Sequence, residues 1–177
     1  MTIYNNILNN NSVSEVKKDG FQIIDDSGSN SINVFPDDLT VITNDNAGEN
    51  SNSNFLPTGV SNFYDQNFGD LGYLNINELE LGDVLNLKID LSIIPQLDPV
   101  EAEIVFQFNY NGSNTIEKSK KTELLSSIYE LNQTSVNDFF CINNEIIKSN
   151  YFRILIKSSN PFALLKNTIT IAVNKRG

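Results

Sequence analysis

The oxygen-bearing side chains best suited to bind a metal cluster at Asp45, Asn46 and Glu49, around Gly48. Carboxylate and amide oxygens are the ligands that a hard cation such as calcium prefers. The twelve-residue calcium loop, however, places its ligands at alternate positions and ends on a distal glutamate, and that spacing is absent here. We therefore interpret these residues as a turn and predict no metal site.

Two pairs of acids are adjacent in sequence, Asp25 with Asp26 and Asp37 with Asp38. Neighbouring side chains of a strand point to opposite faces, so neither pair could flank a sugar as the two carboxylates of a glycosidase do. The chain has no histidine, which removes the commonest general base and the commonest zinc ligand. We expect no catalytic residue and no cofactor, and we predict that the protein is not an enzyme.

The single cysteine, Cys141, follows Phe139 and Phe140 and cannot form a disulfide within the chain. A free cysteine beside apolar residues is typical of a protein core. We predict that Cys141 is a small buried hydrophobe.

Three aromatic residues, Phe63, Tyr64 and Phe68, could form a platform on which sugar rings stack. The alternative is that they pack in the core or against another subunit, and we favour that alternative. Binding to glycans therefore stays a second hypothesis.

The charge of the chain is −10 and is unevenly distributed. Residues 1–100 hold fifteen acids and three bases, whereas residues 101–177 hold seven acids and nine bases. Such a chain is a poor partner for nucleic acid. We find no secretory signal and no apolar run long enough for membrane insertion, so we expect synthesis in a cytoplasm.

The first 19 residues are polar and asparagine-rich, with scattered apolar side chains and no sustained period. These few apolar groups cannot offset the entropy of ordering such an extended N-terminal arm. We therefore expect neighbouring subunits to hold it, through Ile3, Tyr4, Ile7 and Leu8.

The clearest strand lies between Gly82-Asp83 and Pro95, where Leu85, Leu87, Ile89 and Leu91 alternate with polar residues. This period of two indicates a strand with one dry and one wet face. Similar patterns between turn residues predict further strands. They lie near residues 21–24, 32–35, 39–43 with Leu39 and Val41 on one face, 102–110, 115–121 as a polar edge strand, 128–133, 151–157 and 168–174, with one helical turn within 139–148 and a hairpin at Asn111-Gly112.

Residues 44–72 form a long stretch without a regular pattern, which in compact domains tends to be functional or interfacial. Its apolar side chains must be buried in the core or against a neighbour. The predicted interface set therefore joins them to the arm: Ile3, Tyr4, Ile7, Leu8, Phe55, Leu56, Phe63, Tyr64 and Phe68.

Short strands at spacings near ten residues, without a long helix, predict an all-β fold. We expect an antiparallel β-sandwich of the jelly-roll-like kind at residues 20–177, preceded by the N-terminal arm at residues 1–19.

Three stretches are similar to a recurrent family of bacteriophage virion structural proteins, frequent in marine phages. They read DGFQIIDD at residues 19–26, TNDNAGENSNSNFLPTGV at 43–60 and LELGDVLNLKIDLSI at 79–93. Phe55-Leu56-Pro57 stands where the family has Tyr-Leu-Pro, and Phe63-Tyr64 stands where it has Leu-Trp. The resemblance spans residues 19–177, with Ala47 in place of a frequent glycine and no tryptophan.

The resemblance implies a non-enzymatic virion protein: a capsid decoration, head fibre or tail-associated module. It further implies a homo-oligomer, usually a trimer, that docks on other virion proteins. The alternative is a receptor-binding tail fibre module that recognises glycans. The shared motifs are structural, so the resemblance transfers no binding or catalytic residue.

Overall fold

The computed structural model describes residues 17–64, 72–97, 100–110, 115–124, 128–148 and 151–176. Within these ranges the strands pair in antiparallel fashion. None of the described helical segments has the length and apolar character needed to cross a bilayer. The elements, in chain order, are β1 (Asp19–Asp25), β2 (Ile32–Val34), β3 (Thr40–Val41), β4 (Asn52–Phe55), β5 (Tyr73–Leu74), β6 (Val84–Pro95), β7 (Val100–Tyr110), β8 (Ile116–Leu124), β9 (Asn132–Cys141), α1 (Glu145–Lys148), β10 (Tyr151–Ser158) and β11 (Phe162–Asn174).

Two sheets pack face to face. Sheet A has the order β4-β1-β11-β6-β9, and β2 also pairs with β11. Sheet B has the order β3-β10-β7-β8, and β5 also pairs with β10. A single cluster of buried side chains from both sheets fills the space between them. The fold is therefore the predicted jelly-roll-like β-sandwich.

The strand β6 lies inside sheet A, where it pairs with β11 on one side and β9 on the other. Its inward side chains are almost completely buried, at Leu85, Leu87, Ile89, Leu91 and Ile93. The alternation predicted for this strand is confirmed, because only one face of the sheet meets the core.

The strand β7 is buried on both faces. Ile104, Phe106 and Phe108 point into the core, and Val105 and Gln107 on the other face are also buried. The side chain of Gln107 donates a hydrogen bond to Glu117 on β8 (2.5 Å).

One lysine, Lys118, lies at the edge between the two sheets. Lys118 on β8 pairs with Phe106, so both side chains lie on the inner face of sheet B. The Lys118 ammonium lies 3.0 Å from Asp138 Oδ1 on β9 and 4.6 Å from the centre of the Phe140 ring. A charge pointing inward at an edge strand opposes pairing with foreign strands.

Several predicted boundaries were wrong. The stretch 44–72 contains the strand β4, and β9 begins at Asn132 instead of near residue 128. β11 begins at Phe162, six residues before its predicted start. Each of these strands is defined by its register with a partner strand, which local propensity does not report.

Two side chains point the opposite way from the prediction. Cys141 is exposed, because β9 alternates and its inward positions are Val136 and Phe140. Leu39 is 50% exposed, and Ile42 is the residue of this segment that enters the core.

The sandwich starts earlier than predicted. The Lys17 N–H donates to Thr58 Oγ1 (3.1 Å), and the Lys175 N–H donates to Lys18 O (3.0 Å). Residues 17–19, predicted as part of the arm, therefore belong to the sandwich. The arm residues Ile3, Tyr4, Ile7 and Leu8, together with Phe68 and the Asn111-Gly112 hairpin, lie outside the described residues.

Candidate interaction surfaces

The apolar side chains of the segment after β3 are buried mainly in their own sandwich. Phe63 is 1% exposed and Val60 is 8% exposed, while Leu56 and Tyr64 pack against the same core. A ring as buried as that of Phe63 cannot serve as a platform for sugars. The structure thus places Phe63 in the core, and of this predicted group Phe55 keeps a large exposed surface (46%).

Buried polar side chains fix this segment to sheet A. Gln22 is 1% exposed; its Oε1 accepts the Phe63 N–H (2.8 Å), and its amide donates to Asn62 Oδ1 (2.6 Å). The Asn44 amide likewise donates to Asn167 Oδ1 (2.8 Å). A buried polar group costs free energy unless it is hydrogen-bonded, so these pairs allow few other positions for the segment.

The adjacent acids Asp25 and Asp26 do point in different directions. Asp25 is completely buried and accepts hydrogen bonds from Thr168 Oγ1 (2.6 Å), from the Asn50 N–H (3.2 Å) and from the Lys166 ammonium (3.2 Å). Burial raises the pKa of Asp25, but these donors outweigh it and the net pKa is lowered. The carboxylate form of Asp25 is therefore favoured, and through Asn50 it holds the loop after β3, a role opposite to that of a general acid.

The predicted turn at residues 45–49 packs against Asp26. Burial raises the pKa of Asp45, but hydrogen bonds from Ser27 and from the Ala47 N–H outweigh it and lower the pKa to about 2. Burial also raises the pKa of Asp26, and the nearby negative charge of Asp45 raises it further. No three acidic or cysteine side chains in the described ranges converge as metal ligands.

One end of the sandwich carries exposed apolar side chains that the sequence analysis did not single out. We call them the end patch: Tyr129 (77% exposed), Leu131 (59%), Phe35 (53%), Leu97 (52%) and Ile128 (42%). A folded protein in water normally leaves large apolar side chains scattered singly. We therefore take the end patch as a candidate interaction surface.

The end patch follows from the register of sheet A. Tyr129 is fixed there because its N–H donates to Pro95 O (2.9 Å). Pro95 pairs with Phe162, and Phe162 pairs in turn with Val34, which precedes Phe35. The prediction of a strand at 128–133 hid this surface, since the turn before β9 leaves these side chains outside the core.

No protein family matches the sequence, and no curated protein sequence is similar to it. Among solved structures, the Eiger TNF of S. frugiperda is similar over 91% of this chain and 96% of its own, with a TM-score of 0.51 and 7% identity. The PRD1 vertex protein P5 matches over 92% of this chain and 99% of its own (TM-score 0.40, 13% identity). A structure of the T13 IBDV viral particle matches over 90% of this chain and 36% of its own (TM-score 0.39, 9% identity).

The likeness to the Eiger TNF structure is a likeness of overall fold. At 7% identity it concerns the fold alone. The chain is a jelly-roll-like β-sandwich.

Proposed function

We propose that the protein is a non-enzymatic structural subunit of a bacteriophage virion. Its role is that of a capsid decoration, head fibre or tail-associated module, made in the host cytoplasm and incorporated into the particle. The observation that supports this proposal best is the end patch, a group of exposed apolar side chains near the Pro95 end of β6. The sequence resemblance to phage virion proteins supports it independently.

The end patch is the surface through which copies of this chain associate, as a trimer. Burying large apolar side chains such as Tyr129 and Leu131 between subunits would remove them from water and stabilise the assembly. Part of the segment 44–72, which the sequence suggested for this role, is already fixed within its own subunit through Asn44 and Phe63.

The N-terminal arm docks the oligomer on another virion protein. The described chain begins at Lys17, two residues before Asp19. Asp19 lies at the same end of sheet A as Val84, because both residues pair with Asn174. The end patch lies beside Pro95, at the other end of β6. Eleven residues of β6 separate these two positions, or about 36 Å at the usual rise of a strand. The subunit can thus contact its own copies at one end and the particle at the other.

The virion role is tested by looking for the chain in particles. An antibody against the full chain should label phage particles banded in a density gradient from a lysate in which the chain is produced. The Tyr129→Asp and Leu131→Asp double variant should label them less, because a weaker oligomer offers fewer arms per docking event. Label confined to the soluble fraction would contradict the proposal.

A further inference from the structure

The outer face of sheet A, which the proposed function does not use, has an ordered arrangement of side chains. Pairing across the sheet places one row of residues side by side on this face: Phe55, Phe21, Ala172, Asn86 and Phe139. Two residues further along the strands, a second row runs through Ile23, Thr170, Lys88 and Asn137. A third row runs through Asp25, Thr168, Asp90 and Ser135.

The first row forms a trough with aromatic walls. Phe21 and Phe55 stack with ring centres 5.0 Å apart, and Phe139 on the far strand is 66% exposed. The small side chains of Ala172 and Asn86 lie between them. Two depressions of about 460 and 380 Å³ meet at these two residues, so the floor is continuous between the walls.

The third row borders a polar depression of about 430 Å³ on the same face. It is lined by Asp90, Gln133 and Lys166 among others. Along the whole face, the side-chain amides of Asn86, Gln133 and Asn137 are exposed and have no hydrogen-bond partner among the described residues. Exposed amides of this kind offer both a donor and an acceptor to a ligand.

The charges that line the three depressions balance. Four carboxylates, at residues 19, 25, 90 and 138, are matched by four lysines, at residues 17, 88, 120 and 166. Several are paired directly: Lys166 lies 3.2 Å from Asp25, and Lys88 lies 2.8 Å from Asp90. In a chain of net charge −10, a neutral face of this extent favours an uncharged polar ligand over an acidic or a basic one.

We propose that the outer face of sheet A binds an uncharged oligosaccharide. Sugar rings stack on the walls formed by Phe21, Phe55 and Phe139, while Asn86 and Asn137 exchange hydrogen bonds with ring hydroxyls. Three strand-to-strand steps separate Phe21 from Phe139, or about 14 Å at the usual strand spacing, which suits a chain of several sugar rings. The site lies on a different surface from Phe63 and Tyr64, where the sequence placed sugar binding.

The test measures binding of the full-length chain to uncharged hexasaccharides of β-1,4-linked glucose, β-1,4-linked xylose, β-1,4-linked N-acetylglucosamine and α-1,4-linked glucose. Oligogalacturonate serves as the acidic comparison. Titration calorimetry should detect at least one uncharged sugar at millimolar concentration and no binding of oligogalacturonate. Phe139→Ala and Asn86→Ala should each weaken the affinity by about tenfold. Both side chains are exposed, so neither variant should disturb the fold.

The matched control is Leu81→Ala, which shortens an exposed apolar side chain outside this face and should leave the affinity unchanged. The proposal is overturned if no uncharged sugar binds, or if Phe139→Ala and Asn86→Ala bind as tightly as the unmodified chain. A lower solution mass of Phe139→Ala, together with no sugar binding, would assign this face to a second copy of the chain instead. Because the end patch is not involved, failure here leaves the proposed virion role standing.

Discussion

At the scale of single residues, buried acidic side chains of this chain stabilise the fold by accepting hydrogen bonds. Asp25 accepts hydrogen bonds from Thr168 and Lys166 on β11 and from Asn50 in the loop after β3, and Gly48 in that loop comes so close that an added Cβ atom would overlap Asp25 Oδ2. The Gly48 N–H also donates to Asp25 O (2.8 Å). The turn that the sequence suggested at residues 45–49 is therefore a packed part of the sandwich.

Replacing Gly48 tests this close approach. Gly48→Ala should lower the free energy of unfolding by about 1–3 kcal/mol, because the new methyl group overlaps a buried carboxylate that cannot move without losing its donors. Urea unfolding followed by circular dichroism measures it. Ser53→Ala, an exposed change in the same segment, should stay within about 0.5 kcal/mol of the unmodified chain; an equally small effect for Gly48→Ala would contradict the packing.

The pKa shifts of Asp26 and Asp45 predict opposite effects of pH on the stability of the fold. The pKa of Asp45 is lowered to about 2, so its stabilising contribution is present above about pH 4 and is lost as the pH falls toward 2. The pKa of Asp26 is raised, so its contribution is present below about pH 4 and is lost as the pH rises through that raised value.

Two amide variants test these signs. Asp26→Asn should raise the urea midpoint at pH 7, because it removes a buried charge beside Asp45, and should change it little at pH 3. Asp45→Asn should lower the midpoint at pH 7, with a smaller loss near pH 2. A destabilising Asp26→Asn at pH 7 would show that the carboxylate form is the favoured one.

At the scale of elements, β6 contributes a row of buried side chains to the core and pairs with β11 and β9. Ile89 is completely buried at its middle, between β11 and β9. Ile89→Ala should lower the free energy of unfolding by about 2–5 kcal/mol through lost burial and a residual cavity. Lys88→Ala, on the exposed face of the same strand, is the matched control and should cost less than about 1 kcal/mol. An equal loss of unfolding free energy for the two variants would contradict the placement of Ile89 in the core.

The sequence predicted β6 well because one face of this strand meets the core and the other meets water. It predicted β7 only in part, since Val105 and Gln107 on its outer face are buried too. The start of β9 and the strand β4 were missed, because their positions come from pairing with β6 and β1. Alternation reports which face of a strand is dry, but it does not report register.

The surfaces were harder to predict than the strands for the same reason. The rows on the outer face of sheet A exist only after Phe21, Ala172, Asn86 and Phe139 are brought into register from four strands. The end patch similarly joins residues from separate loops. No local pattern in the sequence marks either group; Phe55 was singled out only as one apolar residue of the irregular segment 44–72.

At the scale of the whole molecule, the sandwich has two different ends. Residues 17–18 and the start of β1 lie at one end, and the end patch lies at the other, along the full length of β6. The segment after β3 is fixed by buried polar pairs, so the end patch is the described apolar surface best suited to association between copies of this chain. Association through it, without a change of fold, is the central claim of the proposed function.

The most direct measurement is the solution mass of the full chain by light scattering, with and without the Tyr129→Asp and Leu131→Asp changes. We predict three times the 19.8 kDa chain mass for the unmodified protein and a single-chain mass for the double variant, with the same circular dichroism spectrum. Leu81→Asp, at the other end of the sandwich, should remain a trimer. A single-chain mass for the unmodified protein at every concentration, or a trimer that survives the double change, would contradict the assignment of the end patch as the assembly surface.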